Sequence, residues 1–377
     1  MKLLLVSLLL AWGFTACNKE DVNGPDNPGG KDPEVIVTPG EGVFILNEGN
    51  MNAGNASLSY YNPKTKEVQN GVFLRVNDRK LGDVGQSLTL HENTIFIAVE
   101  NSGIIWGIDK DNFKVKGQLE ANGTNIINPR YVHVVNAEKA YVTDLYSPNI
   151  NIFNPKDLKY KGSISLESAN LNEQNFGYYS TEEMVQYGDY VYVVCWSYSR
   201  KILVIDTKTD KLAGEIVLTS WQPKSIRVDK NGKLWVITDG GYSYGSTSFS
   251  DNVPHLYRID AATRKIELDQ ALDTDKANVQ IEMNGAKDKL YIINNDIYCM
   301  AITDAHLPVR PIIEARTDSK GEKNKLYAVG VDPKNGDIYV ADAVDYQQSG
   351  MIYRYDVKGE LIDAFRVGIN PNHFCFK

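Results

Sequence analysis

Seven times along this chain an apolar run with an aromatic residue near its start recurs: Val43-Phe44-Ile45-Leu46, Ile95-Phe96-Ile97-Ala98, Ala140-Tyr141-Val142-Thr143, Val191-Tyr192-Val193-Val194, Leu234-Trp235-Val236-Ile237, Leu290-Tyr291-Ile292-Ile293 and Ile338-Tyr339-Val340-Ala341. The aromatic positions lie 52, 45, 51, 43, 56 and 48 residues apart. A period of about 40 to 50 residues with no helical pattern is the mark of a propeller blade, whose apolar faces can be buried only against neighbouring blades. The 377-residue length alone would favour more than one domain. The repeat overrides that prior and predicts one all-β, seven-bladed propeller domain over residues 42–377.

Each period reads as four short antiparallel strands. Asp229-Lys230-Asn231-Gly232 and Asp332-Pro333-Lys334-Asn335-Gly336 precede an aromatic run, where Asn-Gly supplies the positive φ of a tight turn. A second turn recurs later in the period, as at Ile205-Asp206-Thr207-Lys208 and Ile259-Asp260-Ala261-Ala262, with an Asx side chain placed to cap it. These clusters lack the spacing and terminal Glu of a calcium-binding loop, so turns are the better reading. Asn128-Pro129-Arg130 and Gln222-Pro223-Lys224 open innermost strands, and the chain end, Asn370-Pro371-Asn372-His373-Phe374-Cys375-Phe376, matches them. The first period begins at its second strand. The C-terminal strand is therefore expected to pair with the N-terminal blade and close the ring, which removes open sheet edges.

The chain begins with Lys2, a short apolar run, Leu3 to Leu10, and Phe14-Thr15-Ala16-Cys17, which resembles a bacterial lipobox. Residues 1–16 are expected to be a lipoprotein signal peptide, and the run is too short for a permanent membrane span. Cys17 would carry the lipid that anchors the protein to the membrane. Residues 17–41 hold that Cys and a polar, Gly-, Pro-, Asp- and Asn-rich flexible tether. Lys19-Glu20-Asp21 resembles an acidic signal for display on the outer leaflet, so the expected place is the outer membrane, facing the cell exterior.

Composition narrows the function classes. With 40 basic and 48 acidic residues the formal charge is −8, and there is no basic cluster, which argues against nucleic acid as a partner. Cys195, Cys299 and Cys375 lie far apart in apolar runs and read as free thiols acting as small hydrophobes. The five histidines follow no metal-ligand spacing, and no nucleophile elbow, phosphate-binding loop, dinucleotide fingerprint or zincin motif occurs. The expectation is a protein without catalytic residues, metal or cofactor.

One set of loops stands out. In an up-and-down propeller the loops between second and third strands project on the same face as the connections between blades, around the channel mouth. On this register the former are 47–55, 100–103, 144–149, 196–200, 239–254, 294–296 and 342–350, and the latter include 120–128, 167–180 and 219–223. They carry Tyr146, Phe176, Tyr178, Tyr179, Trp196, Tyr198, Trp221, Tyr242, Tyr244, Phe249 and Tyr346, interleaved with amides, serines and Arg200. Exposed rings gain nothing from water, so their concentration on one rim points to a ligand that covers them. The predicted binding set is Tyr146, Trp196, Tyr198, Arg200, Trp221, Tyr242, Tyr244 and Tyr346.

Through the aromatic blade motifs and the Asn-Pro innermost strands, residues 42–377 resemble the YncE-like seven-bladed propellers of the quinoprotein amine dehydrogenase type. The lipobox, the tether and Phe44-Ile45-Leu46-Asn47-Glu48-Gly49-Asn50 at the domain start resemble, more narrowly, the BtuG cobalamin-binding surface lipoproteins. That resemblance implies a ligand-binding protein that captures cobalamin, or another large ring-containing nutrient. It would pass the nutrient to a TonB-dependent, BtuB-like outer-membrane transporter. The alternative is a glycan- or protein-binding surface propeller, since Trp and Tyr platforms flanked by amides also suit sugars.

Overall fold

A computed structural model describes residues 41–171, 180–241, 253–272, 278–317 and 321–377. Cys17 and the expected tether up to residue 40 lie outside these residues, as do Phe176, Tyr178, Tyr179, Tyr242, Tyr244 and Phe249. The described strands form seven antiparallel sheets, the blades of one propeller. In the first blade the C-terminal strand Pro371–Phe376 pairs with Val43–Asn47, placing Phe44 opposite Cys375 and Ile45 opposite Phe374. That blade continues through Ser57–Asn62 and Glu67–Gln69, so its four strands come from both ends of the chain.

The repeated aromatics explain why the sheets pack into a ring. Side chains alternate faces along a strand, so the aromatic and its neighbour enter different interfaces. Phe44 packs with Ile95, Ile97 and Phe113 of the second blade, whereas Ile45 packs with Tyr339 and Ile352 of the seventh. The same step repeats around the molecule. Phe96 enters the interface with the third blade, Tyr141 that with the fourth, and Tyr192 that with the fifth. Trp235 and Tyr291 fill the next two, and Tyr339 returns to the first blade. Each ring is at most 3% exposed. Buried rings of this size carry much of the apolar stabilisation, and edge-on pairs such as Phe44 against Phe113 add to it.

Two details depart from four strands in every period. Among the described residues the sixth blade has three strands, Val279–Met283, Lys289–Asn294 and Asp296–Ala301. The chain that follows touches the blade's outer edge through a bridge between Ile313 and Ile297. Pro308 and Pro311 fall in that stretch, and a residue without an N–H cannot continue a ladder. The first blade has a fourth strand of only three residues, followed by a short helix, Val72–Asn77, whose Phe73 lies 5.4 Å from the Trp106 ring. Cys195, Cys299 and Cys375 are free; Cys195 and Cys375 are buried and Cys299 is half-buried.

Candidate functional site

The site is built by a repeated irregularity at the start of the innermost strands. Six of these seven strands, Gly85–His91, Pro129–Asn136, Thr181–Tyr187, Pro223–Val228, Leu326–Val331 and Pro371–Phe376, slip register against the second strand near their first residues. The seventh, Val279–Met283, pairs without a slip. A bulge leaves an extra residue outside the ladder and re-aims its side chain. The residues so freed are Gln86, Arg130 with Tyr131, Glu182 with Glu183, Lys224, Tyr327 and Asn372. All of them line one cavity of about 810 Å³. That volume lies within the roughly 300–1,000 Å³ range of small-molecule sites.

Charge organises the wall. Arg130 bridges two carboxylates, pairing with Glu100 through Nη1 and with Glu182 through Nε at 2.8 Å. Arg227, one layer further along, bridges Glu183 at 2.5 Å and Glu282 at 2.9 Å. Glu183 also accepts from the Ser225 hydroxyl at 2.9 Å and the Ile226 N–H at 3.0 Å. These two arginines join the second through sixth blades. Both are nearly enclosed, so their pairs act at low dielectric, and losing one partner would strand a buried charge. Burial nonetheless raises the Glu182 carboxyl to about 7, with Arg130 opposing.

A third group of charges lies in the same mouth. Glu48 accepts a 2.5 Å hydrogen bond from the Tyr327 hydroxyl, and Asp239 accepts one of 2.8 Å from the Trp196 indole Nε1. Burial lifts both carboxyls above their ordinary values. Lys224 donates to the Asn278 side chain and, among the described residues, makes no ion pair. Burial lowers its ammonium, while Asp239, Glu182 and Glu48 pull the other way. Burial also drives the Tyr327 phenol well above its usual range, which keeps it a neutral donor to Glu48.

The structure brings two residues of the predicted binding set into the cavity. Trp196 is half-buried on the wall, held by Asp239. Tyr346 lies edge-on to Tyr327 at 5.7 Å, with the Lys325 ammonium 5.4 Å above its ring. Tyr146, Tyr198, Arg200 and Trp221 are not among the lining residues. Tyr146 is 38% exposed beside Leu145, which does line the cavity. Arg200 spends its guanidinium on Trp221, 5.5 Å from the ring centre. Trp221 in turn backs Gly241, a lining residue whose added Cβ would meet Trp221 Cβ at 3.3 Å. No group of three His, Cys, Asp or Glu side chains suited to a metal ion occurs among the described residues.

The sequence reading missed the wall residues. Arg130, Lys224 and Asn372 directly follow Pro129, Pro223 and Pro371, the motif that marks the innermost strands. The signal was on that repeated motif, in the residue that differs from copy to copy. Glu182, Gln86 and Tyr327 lack the preceding proline and carry no comparable mark.

Comparison with known proteins agrees with this architecture. A family model described as a domain of unknown function (DUF5074) matches residues 41–376. No curated protein matches the chain. Among solved structures, a quinonprotein alcohol dehydrogenase-like protein from Bacteroides thetaiotaomicron superposes with a TM-score of 0.64 at 13% identity, covering 88% of this chain and 77% of that one. A functionally unknown protein from Desulfotomaculum acetoxidans gives 0.61 at 11% identity, covering 89% and 98%. Hydrazine synthase from Kuenenia stuttgartiensis gives 0.55 at 14%, covering 77% and 88%. At such identities the likeness establishes the fold and nothing finer.

Proposed function

The chain belongs to the DUF5074 family, a domain of unknown function, and from that premise we propose that it is a non-catalytic, lipid-anchored surface propeller that captures a large ring-containing nutrient at its channel mouth. Cobalamin or a related corrinoid is the first candidate, with a TonB-dependent outer-membrane transporter as the recipient. One observation carries the binding reading: six bulged strands turn their extra side chains into a single 810 Å³ mouth that Trp196 and Tyr346 flank. Flat rings give wide apolar contact at small entropy cost, and the amides and carboxylates between them suit a ligand whose edges bear many hydrogen-bonding groups. Tyr327, held neutral as a donor, fits recognition better than nucleophilic attack.

The acceptor-rich wall also favours a second reading, a glycan-binding module, because carboxylates between aromatic rings match sugar hydroxyls and faces. Mixing the purified protein with micromolar cyanocobalamin and following its visible absorbance through a sizing column separates the two. Co-elution is the expected result. Its absence contradicts corrinoid capture and leaves the glycan reading.

A further inference from the structure

We infer that the solute taken at this mouth carries a positive charge beside its flat face, and that anionic solutes are rejected. The inference rests on the binding reading above and specifies the ligand's chemistry. The charges fall into three groups, each with two carboxylates and one cation: Glu100 and Glu182 about Arg130, Glu183 and Glu282 about Arg227, and Glu48 and Asp239 near Lys224. The formal excess of these groups is three negative charges, which Lys325 above the Tyr346 ring lowers to two, in a half-enclosed space where charge is poorly screened.

The groups differ in how their charge is met. In the first two the arginines touch both carboxylates. In the third, Glu48 and Asp239 make no ion pair among the described residues, and their hydrogen-bond partners are neutral: the Tyr327 hydroxyl for Glu48, and the Trp196 indole and the Gly241 N–H for Asp239. Burial raises both carboxyls although Lys224, and Arg130 at Glu48, act against it at a distance, so these cations offset only part of the cost of holding the two carboxyls ionised. A cation supplied by a ligand would meet that charge. An aromatic ring stands next to each carboxylate, since the Trp196 indole N–H and the Tyr327 hydroxyl donate to Asp239 and Glu48, and rings and carboxylates together suit an ammonium group.

Two further polar groups point the same way. Asn372, on the wall, donates to the carbonyls of Gly85 and Gln86 and leaves its Oδ1 acceptor buried without a partner. Gln222 is 2% exposed, with neither its oxygen nor its nitrogen partnered. Its Oε1 lies 3.2 Å from where a Cβ on Gly241 of the wall would stand. Buried polar atoms are almost always satisfied, so the Asn372 acceptor on the wall, with Gln222 behind Gly241, marks a surface shaped for a partner. With the carboxylates, the Asn372 oxygen makes the wall rich in acceptors, which favours a donor-bearing cation over an anion, whereas Gln222 offers a donor and an acceptor alike.

The test uses three probes that share a phenyl ring and differ in charge, benzyltrimethylammonium, benzyl alcohol and benzenesulfonate, titrated calorimetrically into the purified protein. The expected result is at least tenfold tighter binding of the ammonium than of the alcohol, no measurable binding of the sulfonate, and a preference that shrinks as salt rises. The double substitution Glu48→Gln with Asp239→Asn keeps an acceptor oxygen for Tyr327 and Trp196, and should bring the ammonium to the affinity of the alcohol. A preference that survives this change, or sulfonate binding equal to the ammonium's, overturns the inference. If the charge preference is absent but Trp196→Ala still weakens the alcohol, the mouth remains the binding site and only the charge assignment fails. Failure of all three probes to bind contradicts both.

Discussion

Two positions repeat around this propeller, and they behave in opposite ways. The aromatic of each second strand comes back as Phe, Phe, Tyr, Tyr, Trp, Tyr and Tyr, and every copy is buried between blades. The extra residue of each bulged innermost strand comes back as Gln86, Arg130, Glu182, Lys224, Tyr327 and Asn372, and every copy faces the cavity. The first position answers to one demand, filling the same interface seven times, so shape is repeated. The second answers to a ligand or to a neighbour's charge, and repetition would defeat it. In a molecule built of copies, the place where the copies disagree is where function is to be sought.

Substitutions at the two positions should therefore separate folding from binding. The largest effect is expected at Trp235, whose fully buried ring fills an interface and whose Nε1 donates to Asp229 at 2.9 Å. Trp235→Ala should cost about 3–5 kcal/mol in denaturant unfolding, while the molecules that remain folded bind as before. Lost binding per folded molecule would blur the comparison. Arg130→Met leaves Glu100 and Glu182 enclosed without their cation and should cost about 3 kcal/mol, showing that part of the varied position is structural. A change of under 1 kcal/mol would mean that the bridge across three blades is not needed.

A pH series sharpens the same point. Glu182 titrates near 7 in the folded protein against an ordinary value of 4.5, so between these values the native state holds more protons than the unfolded chain. This group's contribution to stability should therefore fall as pH rises through that window. Glu182→Gln should flatten that part of the unfolding free energy against pH, and an unchanged slope would assign it elsewhere. The smallest effects belong to the rim. Trp196→Ala should weaken ligand binding by about 1–3 kcal/mol with little change in melting temperature, and Trp221→Ala by less, since Trp221 is stacked with Arg200 outside the lining. The reverse order would place the ligand on the outer rim.

How much of this was legible beforehand follows from the same contrast. The seven aromatics were readable because packing forces a period, and the period names the all-β propeller. Among the described residues the sixth blade lacks a fourth strand, which fits Pro308 and Pro311 in the stretch after it, but a loss of pairing inside a repeat is easily read as a longer turn. Trp196 and Tyr346, which line the cavity, stood out because large rings in loops are anomalous in water. Arg130, Lys224 and Asn372 were in view within the strand-opening motif and passed over, because a bulge exists only in the pairing of two strands and no single strand announces it. Rings such as Trp221 and Tyr146 share the anomaly of Trp196, and only the fold shows that they stand off the cavity.

The central claim, that the channel mouth and not the outer rim or the blade cores receives the ligand, is open to one direct measurement. In protein carrying nitrogen-15 tryptophan, the indole N–H signals of Trp106, Trp196, Trp221 and Trp235 sample core, mouth and rim in a single spectrum. Addition of saturating cyanocobalamin or benzyltrimethylammonium should displace the Trp196 signal and leave Trp106 and Trp235 in place. A Trp196 signal that stays fixed under both additions would contradict the account.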